Sequence, residues 1–213
     1  MPPERLTARL DSRPGGSYIV TSAPSHEVDY LSALTAREIA YAALFAALIA
    51  GGSFVAIPLG PVPFTLQVMF VLLTGMVLGP RLGALSVIAY LVLGLVAPVY
   101  AGATSGAGVL TGPTGGYLWG FVIGAVVAGA IARRHAQTGL GRFALAGLAG
   151  LVPIYALGAA WLALQLHLDP AAAVATGVAP FVWGDVLKAL TAALAARSMV
   201  SLPLGLPSPQ RDR

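Results

Sequence analysis

The sequence predicts an all-α integral membrane protein, a bundle of six transmembrane helices with both termini in the cytoplasm. Composition is the first reason. Of 213 residues, 57% are hydrophobic and 9% charged, and mean hydropathy is +0.83, whereas a soluble globule carries about 25% charged residues. The second reason is that the apolar residues gather into six segments. The third is that the cationic residues flanking those segments occur only in alternate connections, and so fall on one side.

The first segment covers residues 37–56 and the second 64–78. Gly79-Pro80 then breaks the chain before a third, 82–97. A Gly/Ser/Thr-rich connection leads to a fourth at 117–132. The fifth runs 143–166 with Pro153 as a potential kink near its start, and the sixth 181–200. A full span needs about 20 residues, so segments two to four are short for an upright crossing. Local thinning, or an end at a central cavity, would accommodate them.

Connections 51–63, 98–116 and 168–180 contain no Arg or Lys. The opposite side holds Arg37, Arg81, the cluster Arg133, Arg134 and Arg142, then Arg197, Arg211 and Arg213. The positive-inside rule therefore puts both termini in the cytoplasm. Residues 1–35 lack the apolar core of a cleavable leader and read as a flexible tail, as do residues 201–213.

Other function classes find little support. The formal charge of +4 comes without a basic stripe or a nucleic-acid motif. There are no cysteines, and His26, His135 and His167 share no metal-ligand spacing, so neither a metal nor another cofactor is expected. No HExxH, GxSxG or paired carboxylates suggest an enzyme, and GPTGG lacks the Lys-Ser/Thr ending of a phosphate loop.

The chemistry concentrates in the last segment. Asp185 and Lys188, the chain's one lysine, stand in an apolar run. Placing either charge at a helix centre costs roughly 2.5–3.5 kcal/mol. Their i,i+3 spacing returns only a few tenths as a surface pair, so the reading is a polar site that a small guest completes. Phe181 and Trp183 lie beside the pair as a candidate apolar wall. Thr65 and Gln67 enter the second segment early and could bond a ligand amide or urea, or bridge helices. The connection PVYAGATSGAGVLTGPTGGY (98–117) is too polar for lipid and too apolar for an exposed linker. It is expected to fold over a site at helix ends, where irregular backbone is tolerated.

Small residues suggest close helix contacts. Ala42, Ala46 and Ala50 recur every four residues in the first segment, as do Ala43 and Ala47, a period that lets helices approach in lipid. Such a surface serves internal packing or a separate membrane subunit equally. Gly83, Gly94, Gly120, Gly124 and Gly129 make a similar case for tight packing.

The runs VPFTLQ (62–67), LGPRLGALS (78–86), GPTGGY (112–117) and GDVLK (184–188), in that order, resemble the BioY family. Its members are the biotin-binding S components of energy-coupling factor (ECF) transporters. The resemblance covers about residues 36–200. It implies high-affinity biotin capture near the extracellular side of six membrane helices in the cell membrane. It also implies partnership with a transmembrane coupling (T) subunit and two ATP-binding subunits. Asp185 and Lys188 match the family's biotin-site residues, and Ala43 and Ala47 match its contact with the coupling subunit. The GPTGGY loop, with Gly115 and Tyr117, maps near the vitamin.

Biotin offers two ureido N–H donors, a carbonyl and an anionic carboxylate. Asp185 could accept from the urea and Lys188 could meet a carbonyl or an anion. Tyr90, Trp119 and Trp183 are candidate walls for the rings and aliphatic arm. An ATPase-independent carrier for another small anion, or a structural assembly protein, remains an alternative on the residues alone.

Overall fold

A computed structural model of the chain describes residues 34–133 and 139–202. The expected N-terminal tail up to residue 33, Arg134, His135 and the C-terminal residues 203–213 lie outside the described residues, as does the side chain of Arg133. The first helix, α1 (Ala36–Ser53), starts at a capping box: Thr35 N–H donates to Glu38 Oε2 at 2.8 Å, and Glu38 N–H donates back to Thr35 Oγ1 at 3.2 Å. Two otherwise orphaned backbone donors are thereby satisfied. Its alanines divide by face. Ala46 and Ala50 are buried, whereas Ala43 and Ala47 are exposed.

The 51–63 connection is not an irregular linker. Strands β1 (Ala56–Leu59) and β2 (Val62–Thr65) pair antiparallel, with Ile57 opposite Phe64 and Leu59 opposite Val62. Gly60, at φ 72°, takes the first position of the two-residue turn and Pro61 the second, a place where a positive φ favours glycine. The three prolines of this stretch mask the strand pattern in sequence. Pro58 and Pro63 face each other across the two-stranded ribbon, which has two edges and so tolerates missing donors.

Helix α2 (Gln67–Gly94) contains the expected second and third segments, folded back on each other. Gly79 has φ 83° and ψ −179°, which reverses the chain, and Pro80 opens the second arm at a position where its missing N–H is harmless. A Cβ on Gly83 would lie 3.0 Å from the Cα of Gly75, although eight residues of straight helix span about 12 Å. At the far end, Gln67 hydrogen-bonds Tyr90, a pair that a straight helix would separate by about 35 Å. The arms, 67–78 and 80–94, are each too short to cross about 30 Å of hydrocarbon upright.

A short helix α3 (Ala107–Thr111) sits inside the glycine-rich connection. Helix α4 (Gly115–Arg133) is central and packs most extensively on α2 and α5 (Leu140–Leu166). Glycines make that possible. A Cβ on Gly129 would fall 2.6 Å from Pro80 N at the α2 bend, and one on Gly120 or Gly124 would fall 2.8 Å from atoms of α5. Helix α5 runs on through Pro153. Helix α6 (Pro170–Gly177), within an expected loop, is capped by Asp169, which accepts from the N–H groups of Ala171 and Ala172. Helix α7 (Val182–Ser201) follows at 55° to α6.

By length and composition alone Gln67–Gly94, Gly115–Ala132 and Leu140–Leu166 could each cross a membrane, although the first is folded back at Gly79, and the bent α6–α7 pair qualifies jointly as a fourth. The chain is thus a multi-pass, all-α membrane fold whose only regular strands, among the described residues, form the β1–β2 hairpin. One stability test arises here. Gly75→Leu would drive a side chain into the backbone of Ala125, where even a Cβ would lie 2.9 Å from the Cα. The expected loss is about 3 kcal/mol or more, read as an unfolding midpoint lower by roughly 6 °C or more in detergent. An unchanged midpoint would mean that α2 and α4 are not this close.

Candidate ligand-binding site

A cavity of about 270 Å³ lies among the helix ends, just below the range for small-molecule pockets, roughly 300–1,000 Å³. Its walls come from β2, the start of α2, the 98–114 connection, α4, α5 and α7. Every arginine-free connection borders it: Val62 and Pro63 from the first, Tyr100 to Thr114 from the second, Gly177 from the third.

Asp185 and Lys188 lie one turn apart on α7 and point into this cavity wall, only 4% and 6% exposed. Lys188 Nζ donates to Asp185 Oδ1 at 2.8 Å and to the carbonyl oxygen of Thr65 at 2.5 Å. Its third side faces the Phe64 ring, whose centroid is 3.2 Å away. Asp185 Oδ2 accepts from the Tyr155 hydroxyl of α5 at 2.7 Å. The two charges are therefore compensated by the protein itself, where the sequence suggested that a guest was needed to complete them. Each carboxylate oxygen retains acceptor capacity toward the cavity, so a ligand N–H meets a carboxylate already fixed in place. Fixing it beforehand lowers the ordering cost of binding.

Thr65 and Gln67 form the next layer. Thr65 Oγ1 donates to Gln67 Oε1 at 3.2 Å, and the Gln67 side-chain amide donates to the Tyr90 hydroxyl. Gln67 thus bridges the two arms of α2 and still lines the cavity with an N–H to spare. Tyr117 lines it too, with its hydroxyl donating to Gly177 O at 2.8 Å. The glycine-rich connection is tied over the cavity by three side chains. Tyr100 OH donates to Leu91 O at 2.6 Å, Trp161 Nε1 to Gly112 O at 3.0 Å, and Gln165 Nε2 to Thr111 O at 2.6 Å.

The structure brings Asp185, Lys188, Thr65, Gln67 and Tyr117 onto one cavity, but four expected residues lie elsewhere. Trp183 is 84% exposed and Trp119 48% exposed. Each is two residues from a cavity residue, Asp185 or Tyr117, and two residues turn about 200° around a helix. Both lie near the start of their helices, the position of interfacial aromatic residues. Tyr90 is wholly buried behind Gln67 and acts through it. Gly115 has no Cβ because the carbonyl carbon of Leu110 would be 2.7 Å from it; its role is clearance. Conversely, Tyr155 and Phe64 touch the charged pair and were not foreseen. A phenol in an apolar helix is itself a signal, since a buried Tyr hydroxyl seeks a partner.

The model of the BioY family matches residues 25–203. The chain belongs to the BioY family. This BioY-family protein is 46% identical over 167 residues to the biotin transporter BioY of Thermotoga maritima, covering 78% of this chain and 97% of that one. It is 39% identical over 183 residues to the biotin transporter BioY of Rhizobium etli, covering 80% and 97%. A solved structure, the S-component for biotin from an ECF-type ABC transporter, superposes with a TM-score of 0.73 at 29% identity, over 80% of this chain and 96% of that one. The fold of the chain therefore resembles that S-component bundle.

Proposed function

We propose that this protein captures biotin with high affinity as the substrate-binding component of an ATP-driven ECF transporter in the cytoplasmic membrane. The observation that carries the reading is the buried Asp185–Lys188 pair, compensated in advance and set on the wall of the cavity. The names of its relatives point to the same vitamin. Asp185 and the Gln67 amide offer an acceptor and a donor to the ureido ring. Phe64, Tyr117 and Phe181 offer apolar surface to the rest. Purified protein should retain labelled biotin through gel filtration and release it to excess unlabelled biotin, while an analogue without the urea competes at least about a hundredfold less well. Failure to retain biotin would overturn the reading.

The proposed topology has six crossings over residues 36–200, with tails 1–35 and 201–213 in the cytoplasm. Two features support it: the α2 reversal at Gly79, and the concentration of arginine-free connections around the cavity. Arg37, Arg81, Arg142 and Arg197 belong to the opposite ends of their helices. The cavity then faces outward.

The proposed partners are a transmembrane coupling subunit and two ATP-binding subunits. The exposed Ala43 and Ala47 of α1 offer that subunit a close approach, while Ala46 and Ala50 of the same helix are taken up internally. In the co-expressed complex, A43L/A47L should cut co-purification of the coupling subunit at least about fivefold and leave biotin binding in detergent unchanged. Full assembly of that variant would place the contact on another face.

A further inference from the structure

Phe64 does more than line the cavity. The Lys188 ammonium lies 3.2 Å from its ring centroid, and the next strand residue, Thr65, supplies the carbonyl that accepts from the same ammonium. The ring is also held from α7. It stacks on Phe181, with centroids 6.2 Å apart and planes at 20°. Its edge lies over Gly184, where a Cβ would come within 2.7 Å of Phe64 Cε2 and closer still to Cζ.

We propose that Phe64 is a positioning residue for Lys188, its ring face completing the shell around the ammonium, and that Gly184 is the clearance that lets the ring lie there. An ammonium has three N–H donors and no acceptor. The Asp185 carboxylate and the Thr65 carbonyl take two directions. With Lys188 buried, the remaining side needs a partner other than water, and the negative face of an aromatic ring is one. An aliphatic side chain of similar bulk fills the space without that electrostatic attraction. A side chain on Gly184 pushes the ring away and leaves the ammonium free to swing. Because Phe64 sits on β2 and Lys188 on α7, the same contact fastens the hairpin to the last helix.

The binding arm of the test rests on the biotin-capture reading; the unfolding arm does not. Biotin affinity and the thermal midpoint of ligand-free protein in detergent would be measured for F64L, F64Y, G184A, F64L/G184A and K188M, with F64L repeated in the K188M background. F64L should weaken binding about tenfold and lower the midpoint. F64Y keeps the ring face but sets an oxygen on Cζ, the ring atom nearest Gly184, so it should bind less well than the unchanged protein and better than F64L. G184A should resemble F64L, and the double variant should be no worse than F64L, because the clash is with the ring alone. In the K188M background F64L should lower the midpoint by less, leaving only the part that comes from the lost stacking on Phe181.

The proposal is overturned if F64L matches the unchanged protein in both readouts. It is equally overturned if the F64L and G184A losses add, or if F64L lowers the midpoint as much with K188M as without it. The last outcome would make Phe64 an ordinary apolar wall. If the unchanged protein binds no biotin, the capture reading fails alone, since the unfolding cycle reads the ring–ammonium contact without ligand.

Discussion

Asp185→Leu is expected to abolish biotin retention and to destabilise the protein more than the double variant D185L/K188M does. The reason is the cost of leaving one charge alone. Lys188 is buried, and its carboxylate partner is 2.8 Å away. Removing one partner of such a pair costs roughly 3–5 kcal/mol, whereas replacing both with apolar groups of similar volume is often neutral or better. For a chain of this length that is a midpoint lower by roughly 6–20 °C for D185L. The loss should be largely recovered in D185L/K188M, while affinity stays at least about a hundredfold down in both. D185L also orphans the Tyr155 hydroxyl, so Y155F in the D185L background should restore some stability. If the double variant is as unstable as D185L, the pair is not the electrostatic unit described above. If either variant binds biotin normally, Asp185 is not part of the site.

The fold was legible where the sequence carries a one-dimensional signal. Hydropathy located α1, α4, α5 and α7 to within a few residues, and Gly79-Pro80 marked the α2 reversal because only glycine accepts φ 83° cheaply. The hairpin and α6 were not legible, for different reasons. Four-residue strands interrupted by Pro58 and Pro63 show no alternation, and the eight residues of α6 are shorter than any window that detects a membrane helix. Asp169 before Pro170 was the readable sign of α6, a capping residue followed by proline at the first turn.

The site was half legible. Charge in an apolar run singled out Asp185 and Lys188 without any structure. Their surroundings depend on which helix faces which, and that is not written along the chain. Neighbours in sequence proved misleading at Trp183, which the helical turn carries to the opposite face from Asp185. Tyr155 is 30 residues away and Thr65 is 123 from Lys188, yet both hold the pair. The alanine stripes show the same limit. Spacing alone could not rank the two registers; the family resemblance pointed to Ala43 and Ala47, and these are the pair left exposed while Ala46 and Ala50 are buried.

Gly158→Val is expected to cost at least about thirtyfold in biotin affinity although Gly158 does not line the cavity. Tyr117 enters the site between two glycines. A Cβ on Gly158 would lie 2.6 Å from Tyr117 Cγ, with other ring atoms nearer, and a Cβ on Gly177 would meet the hydroxyl oxygen of the same residue. The ring therefore occupies the space two side chains would need, joining α4 to α5 and to the end of α6. Valine at position 158 leaves the ring one way to move, toward the cavity it already borders. Overpacking of this kind costs about 1–3 kcal/mol in stability, and the displaced phenol takes volume from a pocket of only about 270 Å³. Y117F removes only the hydrogen bond to Gly177 O and should cost no more than about tenfold, since one neutral bond is worth about 0.5–1.5 kcal/mol. Y117A in the G158V background should bind better than G158V alone, because the displaced ring is gone. If G158V binds like the unchanged protein, or if Y117A deepens its defect, the ring is not what G158V moves, and α5 must shape the pocket by another route.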